Sequence, residues 1–268
     1  MEMINRVEEY LEFAKSIALY AGKTMLDLYN NDIDKGYKED RTVVTIVDKE
    51  INKYLIEKVK EKYPEHSVIG EEENYENNSK YVWVCDPLDG TGMYVNHIPV
   101  FVFSLALVYD GEPIVGVVYN ANEDKMYTAI KGSGAYCNSE KIYVNNKHLG
   151  DLGYRTNVEI FNNNIIDEVA LIQDIKGISK ISSIGSVARS SMAIATGDFS
   201  ADIFPGTKHG NCDIAASYLI VKEAGGKVTD LYGDNQRYDE SIKGALISNG
   251  VSHDEILQKV KKYIISRW

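Results

Sequence analysis

The chain has 268 residues, of which 44% are hydrophobic, and its formal net charge at pH 7 is −11. This length suits one large domain or two closely packed ones, and the apolar fraction is too high for a disordered chain. The negative charge disfavours binding to nucleic acids or anionic membranes through a broad face, and no apolar run approaches the ~18–20 residues that cross a membrane.

The first part of the chain predicts two helices joined by a polar segment. Apolar residues recur every three or four positions over 3–29, which predicts a long amphipathic helix. Residues 31–42 have no apolar period, so we expect a mobile lid that carries Lys38 and becomes ordered when metal binds, with a plain connecting loop as the alternative. A short strand or turn leads into a second helix over about 48–62, which ends near Pro64.

The middle of the chain has the pattern of strands. Short apolar runs at 67–70 and 82–85 are each followed by acidic residues. Two longer apolar runs flank Asp110-Gly111, a dipeptide typical of a hairpin turn. The sheet continues on both sides of a glycine-rich turn at 132–134. These hairpins predict antiparallel or mixed sheets.

The last part of the chain alternates strands and helices. Helices are predicted over 187–196, over 213–224, and from Ser252 or His253 onward. A further strand is predicted at 200–204. Because the elements alternate in groups rather than in βαβ order, we predict a layered α/β sandwich with two sheets.

A soft division of the chain is predicted between about 135 and 155, where polar residues and glycines cluster. We place it so that residues 1–145 form an α+β part with most of the candidate metal ligands, and residues 146–268 form an α/β part with Asp213. The two parts are expected to pack as one compact unit. The three cysteines are far apart and odd in number, which predicts reduced thiols in a cytoplasmic protein.

Acidic residues follow apolar runs or begin helices at three places. These are Glu71 and Glu72, Asp86 and Asp89, and Asp213. Carboxylates that meet at one point repel each other unless a divalent cation compensates, and Mg²⁺ is bound by a few carboxylates together with water and phosphate oxygens. Two such ions can activate a water and stabilise the leaving oxygen of a phosphate ester. A plain turn is the alternative for the Asp-Pro-Leu-Asp-Gly stretch.

Gly90 and Thr91 follow these acids and predict a phosphate-binding turn. A short helix over 91–96 would direct its first amides at a bound phosphate, and the Thr91 hydroxyl could align a water. Haloacid-dehalogenase-type phosphatases have D-x-D-G-T, with acids two positions apart. Here the acids are three apart with Pro87 between them, so an aspartyl nucleophile is disfavoured.

Together these residues resemble the inositol monophosphatase superfamily. DPLDGT at 86–91 resembles its D-P-[IL]-D-G-T signature, and Gly70-Glu71-Glu72 matches its G-E-E. The other matching stretches are Lys38, Thr45-x-x-Asp48, Gly185-Ser186, ADIF at 201–204, CDIAA at 212–216 and EAGG at 223–226. The resemblance spans about residues 38–230 and is closest in type to archaeal members that act on both fructose 1,6-bisphosphate and inositol 1-phosphate.

The resemblance implies the metal ligands and the fold. Glu71, Asp86 and the Leu88 carbonyl look like ligands of a first ion, and Asp86, Asp89 and Asp213 like ligands of a second. The implied cofactor is Mg²⁺, as two or three ions, with Mn²⁺ as a possible substitute. The implied fold is a five-layered αβαβα sandwich, commonly in a homodimer.

The resemblance also implies catalytic and substrate contacts. Thr91, with Asp48 and Glu71, would position the attacking water, and amides of Gly90 and Thr91 would hold phosphate. The implied substrate-binding residues are Gly90, Thr91, Asp89, Gly185 and Ser186.

Several positions depart from the family pattern. Met93 stands where the family has Asn, and Cys212 where it has Trp. Gly206 occupies the position of a Glu that binds inositol hydroxyls in animal inositol phosphatases. Lys208 lies nearby, and a cation there suits a second phosphate better than a neutral polyol. The candidates for binding this distal phosphate are Arg155, Lys208 and Arg189, with a solvated surface base as the alternative for each.

The sequence therefore predicts a Mg²⁺-dependent phosphomonoesterase that acts on small sugar or polyol phosphates, with no nucleic-acid or membrane partner. One alternative is a 3′-nucleotidase acting on 3′-phosphoadenosine 5′-phosphate, which would need an adenine pocket that the sequence does not locate. Another is a non-catalytic binding module, but the chain retains every predicted acid and Thr91.

Overall fold

Residues 2–29, 35–37, 43–161 and 165–266 are described by the structure, a computed structural model. The helices in these ranges are α1 (Glu2–Tyr29), α2 (Ile46–Lys62), α3 (Thr91–Val95), α4 (Glu168–Ile175), α5 (Val187–Ala195), α6 (Gly210–Glu223) and α7 (His253–Lys262). The strands are β1 (Lys35–Tyr37), β2 (Val43–Thr45), β3 (Ser67–Gly70), β4 (Tyr81–Asp89), β5 (Val102–Tyr109), β6 (Glu112–Asn120), β7 (Lys125–Ile130), β8 (Ala135–Cys137), β9 (Glu140–Lys141), β10 (Arg155–Val158), β11 (Lys180–Ser182), β12 (Ala201–Phe204), β13 (Lys227–Thr229) and β14 (Ala245–Ser248). None of the helices in these ranges is long and apolar enough to cross a membrane.

The first sheet contains β3 to β9 in chain order. β3 and β4 are parallel, and the later neighbours are antiparallel, with the predicted hairpin between β5 and β6. Alternate side chains of β4 point to opposite faces. Trp83 joins a core beneath α1 and α2, whereas Val82 and Val84 join a second core beneath α5 and α6. Both faces of this sheet are therefore covered by helices.

The second sheet is mixed and has the order β11-β10-β12-β14-β13. β10 is parallel to β11 and β12, while β14 is antiparallel to both of its neighbours. α6 packs against strands of both sheets, and α4 and α7 cover the outer face of the second sheet. The layers are therefore helix, sheet, helix, sheet, helix, which confirms the predicted αβαβα sandwich.

Two predicted element boundaries differ from the structure. α6 begins at Gly210, three residues before Asp213, and its N-cap residue His209 makes no side-chain capping bond, so the sequence carries no start signal there. The segment 31–42, predicted to have no regular structure, contains β1, which pairs with β2 in an antiparallel ladder. Lys38 lies outside the described residues.

The predicted division after residue 145 falls between the two sheets, in the chain between β9 and β10. The core beneath α5 and α6 includes residues from both parts, such as Val84 and Ile247. Whether each part folds alone stays a prediction.

Candidate active site

The Asp86–Asp89 stretch is a bulge in β4. The strand continues to Asp89, and its register against β5 shifts between these two residues, so the prediction that it ends at Cys85 is wrong. Asp86 Oδ1 accepts a hydrogen bond of 2.9 Å from the Leu88 N–H, which turns the backbone. Leu88 packs in the same core as Trp83, although strand alternation would place it on the opposite face. The bulge thus allows two acids three positions apart to line one cavity.

Asp89 is bound by the first turn of α5. Its Oδ2 accepts hydrogen bonds from Ser186 Oγ at 2.7 Å and from the Ala188 N–H at 2.6 Å, and its Oδ1 accepts one from the Val187 N–H at 3.3 Å. A helix N-terminus stabilises a carboxylate in this way. Burial nevertheless raises the pKa of Asp89 to about 6. Ser186, predicted to contact substrate, therefore also fixes the orientation of Asp89.

Asp213 completes a buried group of three acids. It lies in the first turn of α6, and Thr207 Oγ1 donates a hydrogen bond of 3.0 Å to its Oδ2. Asp86, Asp89 and Asp213 each offer a carboxylate oxygen within 4.8 Å of the others. Burial, with repulsion from neighbouring acids, raises the pKa of Asp86 and of Asp213 well above the usual value. These acids therefore destabilise one another when all are ionised.

A second group of acids comprises Asp48, Glu71 and Glu72, whose carboxylate oxygens also lie within 4.8 Å of one another. The Glu71 N–H donates to the Cys85 carbonyl at 3.2 Å, so Glu71 follows β3 into the site directly beside Asp86. Burial raises the pKa of Asp48 to about 7. The two groups together bring four separate parts of the sequence to one place.

The Thr45-x-x-Asp48 stretch is the N-terminal cap of α2. Thr45 donates to Asp48 Oδ2 through its N–H at 2.8 Å and through its hydroxyl at 2.6 Å. The other oxygen, Oδ1, accepts a hydrogen bond of 3.2 Å from the Thr91 hydroxyl, which also lies 2.9 Å from the Leu88 carbonyl. The cap therefore fixes Asp48 so that one oxygen stays available to Thr91.

Gly90 connects the acids to α3, the short helix predicted after them. Its φ is +93°, and a Cβ at this position would lie 2.6 Å from the Val100 carbonyl oxygen, so only glycine fits. In the described part of the chain, no partner accepts a hydrogen bond from the N–H groups of Gly90 and Thr91. These two amides remain available to an anion.

These elements surround a cavity of about 450 Å³. It is lined by all five predicted metal ligands, and Lys208 lies on its wall. Asp48 does not line it and reaches it only through Thr91. The sequence-predicted residues that line the cavity are Glu71, Asp86, Leu88, Asp89, Gly90, Thr91, Gly185, Ser186, Lys208 and Asp213.

Two predicted phosphate-binding residues do not line this cavity. Arg155 begins β10, whereas the cavity lies beyond the other end of that strand, at Glu159, about 13 Å further along. Arg189 lies one turn into α5, and its guanidinium pairs with Glu123 at 3.0 Å. Of the three predicted distal-phosphate residues, Lys208 alone lies on the cavity wall.

A buried polar network that no sequence motif indicated lies beside the cavity. Asn157 Nδ2 donates to Glu159 Oε1 and to Asp202 Oδ1, both at 2.8 Å, and Ser190 donates to Asp202 Oδ2. Burial raises the pKa of Asp202 to about 8. Glu71 and Asp86 each follow an apolar run, but Glu159 follows Arg-Thr-Asn-Val in β10, so the same local signal is absent there.

The donor set of the cavity fits divalent cations. It offers carboxylate oxygens, the ligands that Mg²⁺ prefers, and they are buried and mutually repulsive. No ion pair among the described residues neutralises Asp86, Asp89 or Asp213. A cation would therefore relieve a repulsion that the protein itself leaves uncompensated.

The metal-free protein is expected to lose stability between pH 6.5 and pH 8. The pKa of Asp202 is raised to about 8 and that of Asp48 to about 7, so the folded state keeps protons that the unfolded state releases. Raising the pH from 6.5 to 8 therefore lowers the free energy of unfolding, and Asp202 alone accounts for about 2 kcal/mol of this decrease. Burial lowers the pKa of His66 and His253, so near pH 6.5 the unfolded state binds more protons at these two residues than the folded state does. They therefore oppose the loss of stability near pH 6.5, but by much less than Asp202 and Asp48 contribute to it.

Urea unfolding in EDTA at several pH values measures this slope. The Asp202→Asn variant should flatten it, because the amide does not titrate. A free energy of unfolding that rises from pH 6.5 to pH 8 would contradict the raised pKa values.

Comparison with known proteins identifies the family. Residues 6–264 match the inositol monophosphatase family. A protein of Aquifex aeolicus named fructose-1,6-bisphosphatase/inositol-1-monophosphatase is 34% identical over 277 residues, covering 97% of this chain and 98% of that protein. The chain therefore belongs to the inositol monophosphatase family, and its enzyme class is phosphoric monoester hydrolase.

Solved structures agree with this assignment. An IMPase of Thermotoga maritima has a TM-score of 0.85 at 27% identity, covering 95% of this chain and 97% of that one. An IMPase/NADP phosphatase solved with Mg²⁺ and phosphate has a TM-score of 0.84 at 26% identity, covering 98% of this chain and 100% of that one. The resemblance inferred from the sequence motifs is confirmed.

Proposed function

We propose that this enzyme is a Mg²⁺-dependent phosphatase that hydrolyses small polyol or sugar phosphates, with inositol 1-phosphate, fructose 1,6-bisphosphate or both as substrates. The observation that carries the proposal is the convergence of two groups of acids, the Thr91–Asp48 pair and two free amides around one cavity. The relatives support it, because one is named for both activities and another was solved with Mg²⁺ and phosphate.

The metal ligands in this proposal are carboxylates and one carbonyl. Glu71, Asp86, Asp89, Asp213 and the Leu88 carbonyl oxygen would hold two Mg²⁺ ions, a third ion or Mn²⁺ being further possibilities to test. Bound Mg²⁺ supplies positive charge that neutralises phosphate oxygens and makes water more acidic. Side chains and amides of the chain position the attacking water and bind the phosphate.

Thr91 and Asp48 position the attacking water in this proposal. The Thr91 hydroxyl has one hydrogen and two acceptors, Asp48 Oδ1 at 3.2 Å and the Leu88 carbonyl at 2.9 Å. With that carbonyl committed to metal in this proposal, the hydrogen is donated to Asp48, and a lone pair on Thr91 Oγ1 accepts a hydrogen bond from a water in the cavity. Glu71, on the cavity wall near Asp48, is the second acceptor for that water. The N–H groups of Gly90 and Thr91 bind the phosphate oxygens, which holds the phosphorus in line with the water.

The rest of the substrate lies against Gly185, Ser186 and Lys208 in this proposal. Among the described residues, Lys208 makes no ion pair, so its ammonium group is available to a second phosphate. The Lys208→Gln variant is expected to lower kcat/KM on fructose 1,6-bisphosphate about tenfold, which is the loss of one charge-assisted hydrogen bond, and to lower it much less on inositol 1-phosphate.

Arg155→Gln is the matched control. Because Arg155 lies away from the cavity, this variant should leave kcat/KM unchanged on both substrates. An equal loss on both substrates would show that Lys208 does not recognise a distal phosphate.

Phosphate release from a substrate panel tests the proposed function. The enzyme is assayed with Mg²⁺ and with EDTA on inositol 1-phosphate, fructose 1,6-bisphosphate and 3′-phosphoadenosine 5′-phosphate. We expect Mg²⁺-dependent release from at least one of the first two. Release from the nucleotide alone would replace the proposal with the 3′-nucleotidase alternative, and no release from any would contradict it.

The same proposal includes a cytoplasmic homodimer. The three cysteines of the chain are free, which fits a reducing compartment. Sedimentation of the purified protein tests whether it is a dimer.

A further inference from the structure

One carboxylate on the cavity wall belongs to neither group of metal-binding acids. Glu159 directly follows β10, is only 3% exposed, and lines the cavity. Its Oε1 accepts hydrogen bonds from Asn157 Nδ2 at 2.8 Å and from the Gly185 N–H at 3.2 Å. Within the described ranges, both hydrogen bonds to the Glu159 side chain fall on Oε1, which leaves Oε2 available to a ligand.

The surroundings of Glu159 hold this side chain in one position. Asn157 Nδ2 is shared between Glu159 and the buried Asp202, and Asn157 Oδ1 accepts the Ile184 N–H at 3.0 Å. The same two side chains thus fix consecutive amides of the loop before α5. A group that is already ordered loses little conformational entropy when a ligand binds to it.

No carboxylate is present at position 206, where the family resemblance implies one. Gly206 has a φ of +98°, and a Cβ there would lie 2.8 Å from the Gly244 backbone nitrogen. A side chain at 206 would therefore require the backbone to move. Of the other side chains, Thr207 already binds Asp213, and Lys208 is a cation that can only donate.

We infer that Glu159 determines specificity for hydroxyl-bearing substrates, by accepting hydrogen bonds from hydroxyl groups next to the phosphate ester. This rests on the proposed function, and it assigns the polyol-recognising group within that site. A carboxylate oxygen accepts more strongly than a neutral group, and adjacent hydroxyls can donate to it together. The neighbouring Ile160 and Phe161 are apolar, so no other group in that stretch of wall competes for those hydroxyls.

A matched pair of substrates tests this inference. Cyclohexyl phosphate has the ring of inositol 1-phosphate without its free hydroxyls, so the ratio of the two kcat/KM values measures hydroxyl recognition. We expect the wild-type enzyme to prefer inositol 1-phosphate at least tenfold, and the Glu159→Gln variant to lose ten- to hundredfold of that ratio. Glu123→Gln, at an exposed ion pair with Arg189, is the control that should keep the ratio.

Each outcome decides between a recognition role and a structural one. If Glu159→Gln lowers kcat/KM equally on both substrates, Glu159 only supports the loop and the inference is overturned. If the variant does not fold, the wild-type ratio still tests the inference, because a ratio near one would overturn it. If the wild-type enzyme releases phosphate from fructose 1,6-bisphosphate but not from inositol 1-phosphate, the inference is overturned and the proposed function stands. If it releases phosphate from neither, both fail.

Discussion

Replacing Asp213 with asparagine is expected to lower kcat/KM about 10³-fold while raising the unfolding temperature of the metal-free protein. Asp213 is buried within 4.8 Å of Asp86 and Asp89, and their repulsion raises its pKa well above the usual value. Asparagine removes one of the like charges and can still accept the hydrogen bond from Thr207. It also removes a proposed metal ligand, so activity and stability should move in opposite directions.

The stabilisation should amount to about 1–2 kcal/mol in EDTA, which is a few degrees for a protein of this size. Asp254→Asn is a matched control, because Asp254 is also a first-turn helical acid but is exposed and paired with Lys227. A variant of Asp213 that keeps full turnover, or one that is less stable than wild type in EDTA, would refute the role of this residue in a repulsive metal site.

Replacing Thr91 with valine is expected to lower kcat about 10²- to 10³-fold and to leave Mg²⁺ binding nearly unchanged. Valine has the shape of threonine but lacks the hydroxyl that joins Asp48 to the cavity. Loss of a group that orients a reacting water acts mainly on kcat. The metal-binding carboxylates do not depend on this hydroxyl, so the Mg²⁺ concentration for half-maximal activity should stay within about threefold.

The Thr91→Ser variant is the control, because it restores the hydroxyl with less bulk. It should recover most of the activity. If serine is as inactive as valine, the hydroxyl is not the functional group, and if valine keeps more than a tenth of the wild-type kcat, Thr91 does not position the water.

The sequence predicted the layers of the fold and the identity of most residues around the cavity, for different physical reasons. Helix periods and hairpin signals are local features of the sequence, so α1, α5 and the β5–β6 turn could be predicted from it directly. The acids could be grouped because strands and helices that end at one edge of a sandwich bring their terminal residues together. Asp86 and Asp213 lie 127 positions apart and yet meet in this way.

The remaining features depend on tertiary contacts that no local pattern encodes. The bulge at Asp86 to Asp89 depends on a side-chain hydrogen bond and a change of register against β5. The position of Arg155 depends on which end of β10 lies at the cavity, and a strand pattern does not specify its direction. The binding of Asp89 by the start of α5 joins residues almost a hundred positions apart.

The most direct test of the central claim is a Mg²⁺ titration of the unfolding temperature at pH 7.5, at constant ionic strength, for wild type and for Asp86→Asn. If buried acids share divalent cations, millimolar Mg²⁺ should raise the wild-type unfolding temperature by several degrees, as ligand linkage requires, and the variant should respond far less. A wild-type protein that shows no shift up to 10 mM Mg²⁺, or a variant that shifts as much as wild type, would contradict the account.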